Sequence, residues 1–128
     1  MSCYHASRCL KESMRIGINT VQLNGQLAGI GRFLFNILDA FYESESEHEF
    51  FLYSFRPFEY FKEKSNWHKR IGTGLAQKTG TGWLLTQGSA SIIKDQLDAF
   101  WSPYPILPLL PNIKMALTVH DFAWYVCP

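Results

Sequence analysis

The feature that most constrains the fold is a short apolar strand that leads through a glycine-bearing loop into an amphipathic helix, all within residues 15–42. Ile16 and Ile18 lie in a segment that ends at Asn19-Thr20, as a buried parallel strand ends where it meets a loop. A strand, a loop and a helix in this order form the first half of a βαβ unit, from which parallel sheets are built. The unit directs backbone N–H groups and the helix dipole at whatever lies above the strand, a geometry that suits an anion such as phosphate.

The loop before the helix contains the run Gly29-Ile30-Gly31-Arg32. Apolar residues then recur at the spacing of one helical face, which predicts that this face packs on the sheet. The predicted inward positions are Ile30, Leu34, Ile37, Leu38 and Phe41.

The rest of the chain alternates between strand-like and helix-like segments. The predicted strands are 50–55, 98–101 and 114–119, and the predicted helices are 58–67 and 83–97. In the second helix the expected inward residues are Leu85, Ser89, Ile92, Ile93 and Leu97. Segments 72–82 and 104–111 are predicted loops, since they are rich in Gly and Pro respectively. The alternation predicts an α/β fold with a Rossmann-like, doubly wound parallel sheet.

Composition narrows the class of protein. The chain has 128 residues, enough for one domain, and a formal net charge of +1 without a long basic run, so nothing indicates nucleic-acid binding. No apolar run approaches the roughly 20 residues that a membrane-spanning helix needs. Cys3, Cys9 and Cys127 are odd in number and lack CxxC spacing, which argues against a disulfide framework and favours a reducing cytoplasm.

The start of the chain does not share the pattern of the rest. We expect residues 1–13 to be a disordered extension and the domain to occupy residues 14–128, because Met14 stands directly before the first strand. Cys3, His5 and Cys9 lie in this extension, but zinc ligand pairs are usually separated by about two to four residues and no fourth ligand is nearby. We therefore predict no metal site.

The glycine loop matches the dinucleotide-binding fingerprint GxGxxG only in part. Gly29 and Gly31 give the first pair, but Leu34 occupies the position of the third glycine. The loop is longer than the tight turn of the fingerprint, and no acidic residue closes the second strand, where Ser54-Phe55-Arg56 stands. These departures disfavour a nicotinamide-dependent Rossmann protein.

Residues 72–79 come within one residue of a phosphate-binding P-loop, with Gly72, Lys78 and Thr79 at the required spacing. However, Gln77 replaces the second glycine, which the tight backbone cradle needs. No apolar strand is predicted before this stretch, and two further glycines interrupt the helix that should come after it. We interpret the match as chance.

Three segments together resemble the nucleotide-sugar-dependent glycosyltransferases of family four. In that family the first strand leads into a loop similar to Gly29-Ile30-Gly31-Arg32, followed by an aromatic residue. Segment 98–103, Asp-Ala-Phe-Trp-Ser-Pro, is similar to the family's strand end, with Trp101 where a His or an aromatic residue is usual. Segment 114–121 is similar to the family's strand that ends in His-Asp. In this order and spacing, the three cover almost the whole of 14–128.

The resemblance implies a GT-B architecture, of which this chain would form part of the N-terminal, acceptor-side domain. Members are generally retaining, need no metal or other cofactor, and stabilise the departing diphosphate of the nucleotide-sugar donor with cationic side chains and loop amides. Carried onto this chain, the resemblance implies donor phosphate or sugar contacts at Gly29, Gly31 and Arg32. It also implies catalytic roles for His120, beside the transferred sugar, and for Asp121, which would orient the loop or the imidazole.

Each of these residues also has a purely structural interpretation. Gly29 and Gly31 would then only permit a positive φ and close packing of the helix. Arg32 would be a solvated or ion-paired residue, His120 a structural histidine, and Asp121 a cap of the following turn.

The resemblance leaves the donor-binding domain, with its paired carboxylates and basic residues, outside a chain that ends at Cys127-Pro128. We therefore expect the N-terminal fragment of a hexosyltransferase of polysaccharide biosynthesis that is inactive alone. The remainder of the enzyme would be encoded separately or lost through a frameshift or an early stop. A glycan or lipid-linked sugar would be the acceptor, in the cytoplasm or peripherally at the inner face of the membrane. The alternative is a non-catalytic remnant or a module that binds a sugar or nucleotide.

Overall fold

The computed structural model describes residues 13–74, 78, 80–108 and 112–120. The predicted disorder of residues 1–13 therefore falls almost entirely outside the described residues. In chain order the elements are β1 (Arg15–Asn19), a 3₁₀ turn (Val21–Leu23), α1 (Ile30–Glu43), β2 (Glu49–Ser54), β3 (Trp67–Ile71), α2 (Gly80–Trp83), a π-helical turn (Leu84–Gly88), α3 (Ser89–Asp95), β4 (Ala99–Ser102) and β5 (Lys114–Leu117).

The strands of the described ranges form a five-stranded parallel sheet in the order β3-β2-β1-β4-β5. β1 is central, and its Ile16 pairs with Phe50 of β2 on one side and with Ala99 of β4 on the other. α1 joins β1 to β2 across one face of the sheet, and α2 and α3 join β3 to β4 across the opposite face. The predicted α/β fold with a Rossmann-like, doubly wound parallel sheet is confirmed.

β2 is buried on both faces, which explains its uninterrupted apolar sequence. Phe50 and Leu52 pack toward α1, whereas Phe51 and Tyr53 pack toward α2 and α3. The α1-side core comprises Ile18, Leu23, Leu34, Leu38, Phe50, Leu52, Phe58, Phe61 and Trp67. The α3-side core comprises Phe51, Tyr53, Trp83, Leu84, Ile92, Leu97 and Phe100.

α1 packs its predicted face on the sheet, with one exception near its end. Leu34 and Leu38 are fully buried, as predicted. Phe41 is 43% exposed, although its ring stacks on Phe50 with 5.8 Å between the ring centroids. The apolar stripe of α1 is therefore buried in its middle turns and reaches solvent in its last turn.

The predicted helix over 58–67 is wrong, and β3, which begins at Trp67, is a strand that the sequence pattern does not predict. β3 pairs with β2 alone among the described strands, and His68, Lys69 and Arg70 keep partial contact with solvent, so no continuous apolar run marks it. Phe58 and Phe61, the residues that indicated a helical face, instead enter the α1-side core from an irregular loop.

The predicted helix over 83–97 begins earlier, at Gly80, and contains the π turn between α2 and α3. Ser89, Ile92 and Leu97 are buried as predicted, but Leu85 and Ile93 are 39% and 63% exposed. The π turn explains the difference, because its i→i+5 bonding adds a residue to one turn and rotates the next turns relative to a regular helix. In this turn the Ser89 hydroxyl donates to the Leu84 carbonyl at 2.7 Å.

β3 also changes the argument about the P-loop-like stretch 72–79. The strand ends at Ile71, directly before Gly72, and α2 begins at Gly80. A helix follows the stretch, so the expected interruption of that helix is wrong. A strand precedes it, but β3 is not the apolar strand of the motif, and Gln77 remains a further departure. Residues 75–77 and 79 lie outside the described residues.

The C-terminal end of α3 is tied to three strands through Asp95, which is 7% exposed. Its carboxylate accepts hydrogen bonds from the Tyr53 hydroxyl of β2 at 2.6 Å and from the Arg70 guanidinium of β3 at 3.0 and 3.1 Å. Its backbone carbonyl accepts a hydrogen bond from Arg15 Nε of β1 at 2.8 Å. The buried carboxylate is compensated by these donors, so that the cluster locks the helix onto the sheet.

Replacing Tyr53 by Phe tests this cluster through the pH dependence of stability. Burial, together with the hydrogen bond to Asp95 and its charge, raises the pKa of Tyr53 above the ordinary value of 10.0. The unfolded chain therefore releases this proton before the native protein does, so the stabilisation is complete below that value and declines at higher pH, by up to about 1.4 kcal/mol per unit. We expect Tyr53→Phe to lose this decline and to be about 0.5–1.5 kcal/mol less stable near neutral pH.

Urea unfolding of both proteins between about pH 8 and pH 11 measures both effects. The pKa of Lys69 is lowered by burial, an effect that Glu59 and Glu63 partly offset, and it acts in the opposite sense because the native protein releases that proton first. Lys69 is present in both proteins, so its effect cancels in the difference. Identical alkaline slopes for the two proteins would contradict the assignment.

The β5 side of the sheet exposes apolar surface and an edge. Leu117 and Val119 are 42% and 43% exposed, and a hollow of about 170 Å³ lies over the sheet beside β5. Among the described strands, β5 pairs only with β4. Exposed strand edges with apolar side chains favour pairing with other chains.

We expect the chain to associate through this edge and its melting to depend on protein concentration. Leu117→Lys should shift the molecule toward the monomer in sedimentation velocity, because a charge on an edge strand opposes pairing. Ile93→Lys is the control, since Ile93 is 63% exposed on a helix and not on the edge. A sharp, cooperative, concentration-independent melt of a monomer would refute this expectation.

Candidate functional site

The order of the strands places a candidate site at their carboxyl ends. α1 leaves β1 over one face, whereas α2 and α3 reach β4 over the other, so the chain changes direction between β1 and β4. In open α/β sheets ligands bind in the crevice outside the carboxyl ends at such a switch point. Here the crevice lies beyond Asn19, the last residue of β1, and Ser102, the last residue of β4.

A buried polar pair holds the two loops that begin at the switch point. Asn19 Nδ2 donates to Ser102 Oγ at 3.1 Å, and both residues are almost fully buried. Asn19 Oδ1 accepts a hydrogen bond from the Val21 amide at 3.1 Å, and Ser102 Oγ donates to the Tyr104 carbonyl at 2.6 Å. Asn19 thus uses its amide oxygen, and Ser102 the proton of its hydroxyl, to fix the start of its own loop.

A second set of hydrogen bonds holds the loop that follows β1 against the end of β2. The Thr20 amide and hydroxyl both donate to the Tyr53 carbonyl, at 2.9 and 3.0 Å. Ser54 Oγ and Asn24 Oδ1 are 2.7 Å apart in a hydrogen bond, and Asn24 Nδ2 donates to the Arg56 carbonyl at 3.0 Å. The loop that leads to the glycines is thus anchored on both neighbouring strands.

The glycine run lies at the start of α1, as predicted. Gly29 precedes the first helical residue with φ of +52°, a conformation that side-chain-bearing residues rarely adopt, and space is open where its Cβ would lie. A Cβ on Gly31 would lie 2.6 Å from the Gln22 carbonyl oxygen, so glycine lets α1 approach the 3₁₀ turn. Both structural requirements expected for these glycines are present, and their contacts with a donor remain a prediction.

The Arg32 side chain is exposed and makes no hydrogen bond or ion pair with any other residue of the described ranges. The Gly31 amide donates to the Ala28 carbonyl and the Phe33 amide to the Gly29 carbonyl, both at 3.0 Å. The amides of Ile30 and Arg32 have no such acceptor among the described residues. The first turn of α1 therefore offers two amides, the positive end of the helix dipole and one guanidinium to an anion.

His120 lies beyond the end of β5 and contacts both the segment that follows β4 and the start of α1. Its Nε2 is 2.9 Å from the Pro103 carbonyl oxygen, and its ring meets Phe33 of α1 edge to face, with 4.7 Å between the ring centroids. Phe33 comes directly after Arg32, so the structure brings the glycine run and His120 to the same edge of the sheet. Asp121, the second residue predicted to be catalytic, lies outside the described residues.

A cleft of about 270 Å³ opens at the same edge, on the side of α2. Its aromatic walls are Phe55 and Tyr104, and the remaining lining residues are Asn19, Val21, Gln22, Leu84 and Ile106. Gln22 connects this cleft to the glycine run, because its carbonyl faces Gly31. Leu84 is the first residue of the π turn, an irregularity often found at functional sites.

The sequence pattern alone does not identify Asn19, Ser102 and the cleft. A usable signal exists, since a small polar residue directly after each of two buried apolar strands marks their carboxyl ends. The sequence does not reveal that β1 and β4 are neighbours, and without that adjacency the two residues have no reason to be paired.

The described part of the chain contains no group of three or more His, Cys, Asp or Glu side chains that could hold a metal ion. The early cysteines and His5 lie outside it. In the same ranges, no helix is both long and apolar enough to cross a membrane.

Comparison of the chain with protein-family models, with curated proteins and with solved structures gave no match.

Gly31→Ala separates the structural role of Gly31 from a ligand role. We expect a loss of about 1–3 kcal/mol in the free energy of unfolding, because the new methyl group would press on the Gln22 carbonyl. Gly82→Ala is the matched control, since Gly82 is exposed and helical, and it should be neutral or slightly stabilising. Urea unfolding measures both, and equal effects of the two substitutions would show that the close approach carries no energetic weight.

Proposed function

We propose that the chain is the N-terminal, acceptor-side part of a nucleotide-sugar-dependent, retaining glycosyltransferase of the GT-B type. It would serve the transfer of a hexose-type sugar to a glycan or lipid-linked acceptor. The observation that carries the proposal is the meeting of the glycine run and His120 at the carboxyl edge, where the ring of His120 packs on Phe33 at the start of α1. These two segments resemble that family independently, and they are 88 positions apart, Arg32 to His120.

The start of α1 is chemically suited to a diphosphate. The amides of Ile30 and Arg32 have no acceptor among the described residues, and together with the helix dipole they provide fixed partial positive charge, to which the Arg32 guanidinium adds a mobile full charge. Groups of this kind stabilise the negative charge that develops on a departing nucleoside diphosphate without reorganising. In this proposal the donor-binding domain supplies the remaining contacts, so this chain has no transferase activity by itself.

The cleft beside the glycine run supports an acceptor role for this part of the protein. Its volume of about 270 Å³ is enough for a single sugar ring, and Phe55 and Tyr104 provide aromatic faces on which a sugar can stack. Tyr104 and Ile106 belong to segment 104–111, the proline-rich stretch that is predicted to be a loop, and in this proposal it contributes to acceptor choice. The acceptor would thus approach from the α2 side, while the diphosphate lies at the start of α1.

A titration monitored by amide NMR tests the proposal. We expect UDP-glucose or GDP-mannose, added to the ¹⁵N-labelled chain, to shift the amides of Gly29, Gly31 and Arg32 together with His120, with weak affinity because half of the donor site is absent. Arg32→Gln should weaken the binding several-fold through the loss of one cation near the phosphates. Lys94→Gln is the matched control, because Lys94 is an exposed cation in the last turn of α3, at the opposite end of the sheet.

Shifts that spare the start of α1, or equal effects of the two substitutions, would refute the proposal. Binding of free sugars without any preference for the nucleotide-linked form would favour a non-catalytic sugar-binding module instead. Translation of the coding sequence beyond the codon of Pro128 in all frames gives an independent check, since a donor domain with paired glutamates and basic residues is expected there.

A further inference from the structure

We infer that the cleft on the α2 side of the carboxyl edge binds an acetamido group, the N-acetyl substituent of an amino sugar, through a hydrogen bond from Asn19 to the carbonyl oxygen of that group. The seven described residues that line this cleft carry no charge. Four of them are the apolar Val21, Phe55, Leu84 and Ile106. A charged ligand would lose its hydration here without gaining an oppositely charged partner, so the lining favours a neutral ligand.

Asn19 provides a buried donor that the fold uses only in part. The residue is 3% exposed and borders the cleft. Its Oδ1 accepts from the Val21 amide, which can only donate, so the hydrogen-bond pattern fixes Nδ2 on the side of Ser102. A carboxamide nitrogen carries two protons, and only one of them has an acceptor among the described residues, the Ser102 hydroxyl oxygen. A carbonyl oxygen in the cleft would satisfy the second proton.

Gln22 supplies the complementary acceptor. Its side chain is half-buried in the lining of the cleft and forms no hydrogen bond with another described residue. Its Oε1 can accept from the N–H of a secondary amide whose carbonyl oxygen accepts from Asn19. The two carboxamides therefore match both polar atoms of an acetamido group.

The apolar walls distinguish an acetamido group from a hydroxyl group. A hydroxyl can also bond to both carboxamides, but it has no apolar part. The acetyl methyl would lie against Val21, Leu84 and Ile106, and burial of a methyl group on such a surface is favourable. A hexose without the acetyl group would instead turn hydroxyls toward side chains that cannot bond to them.

Recognition of the amide stands by itself, whereas the sugar that carries the amide rests on the proposed function. The cleft volume of about 270 Å³ is below the roughly 300–1,000 Å³ of pockets that enclose drug-sized ligands, so it suits a single monosaccharide. Tyr104 offers its ring to the sugar, and the Gln22 backbone carbonyl faces Gly31 of the glycine run. The acceptor is thus an N-acetylhexosamine that extends from the cleft toward the proposed donor site.

A ligand series followed by NMR of the ¹⁵N-labelled full chain tests the inference. N-acetylglucosamine should shift the side-chain amide of Asn19 and the backbone amide of Val21. N-formylglucosamine, which lacks the methyl group, should bind roughly fourfold more weakly, the factor that one buried methyl group supplies. Glucose at the same concentration should leave both amides unchanged. Glucose shifts equal to those of the acetylated sugar, or an Asn19 side chain that does not respond to it, would overturn the inference.

Inorganic phosphate is the charged probe in the same spectra. The guanidinium carbon of Arg56 lies 5.2 Å from the centroid of the Phe55 ring, so it is the cation that would attract an anion to this side of the cleft. Phosphate should leave the Asn19 side chain unchanged. A phosphate shift there would overturn the assignment of a neutral ligand.

Two substitutions test the donor and the apolar wall. Asn19→Asp keeps the oxygen that faces Val21 and removes the donor, so it should abolish binding of N-acetylglucosamine. Where this variant does not fold, Val21→Thr decides, since it keeps the shape of the side chain and should weaken the acetylated sugar several-fold but not the formylated one. Val119→Thr is the matched control, because Val119 is 43% exposed and does not line the cleft. Equal effects of the two threonine substitutions would refute the inference.

Failure of this inference is distinct from failure of the proposed function, which is read from the nucleotide-sugar shifts at Gly29, Gly31 and Arg32. If those shifts occur and N-acetylglucosamine leaves Asn19 unchanged, the acetamido site is overturned and the transferase proposal stands. If N-acetylglucosamine binds as expected and nucleotide sugars leave the glycine run unchanged, the acetamido site is supported and the transferase proposal is refuted.

Discussion

The backbone hydrogen bonds of β1 to β2 on one side and to β4 on the other set the geometry of the loops at the carboxyl edge. Because all three strands are parallel, their ends meet at one edge, and each must continue over a face of the sheet. The chain crosses one face with α1 and the other with α2 and α3, which opens a crevice above β1. The Asn19–Ser102 pair closes the bottom of that crevice, and the glycine run and the cleft lie on its two sides.

The sequence predicts four of the five described strands and misses β3 at one edge of the sheet, for a physical reason. β1 and β2 are covered on both faces, so their side chains must be apolar and their sequences are recognisable. β3 is covered incompletely, and its residues His68, Lys69 and Arg70 resemble a surface segment. Part of the inward face predicted for helix 83–97 is wrong for a different reason. The prediction that Leu85 and Ile93 are buried assumed a regular 3.6-residue period, which the π turn interrupts.

The candidate site shows the same division. Gly29 and Gly31 could be predicted because a positive φ and a close approach of two backbone segments both favour glycine, which is visible in the sequence. His120 could be identified because it stands just after a strand, although its contact with Phe33 depends on two segments far apart in sequence. Asn19, Ser102 and the cleft could not, because their significance comes only from which strands are neighbours. The sequence therefore shows the local requirements of single residues, but it does not show which strands are neighbours in the sheet.

The π turn has a consequence for how the cleft can change. A π turn holds one residue more than a regular helical turn, so removal of a single residue between Leu84 and Gly88 would restore a continuous α-helix. The helix on one side of the deletion would turn by about 100° relative to the other. Leu84 lines the cleft and is also buried in the α3-side core, so the deletion would change the cleft wall and the packing of the helix on the sheet together. The shape of this cleft is therefore coupled to the rotational register of the helix on the sheet, which a single codon can change.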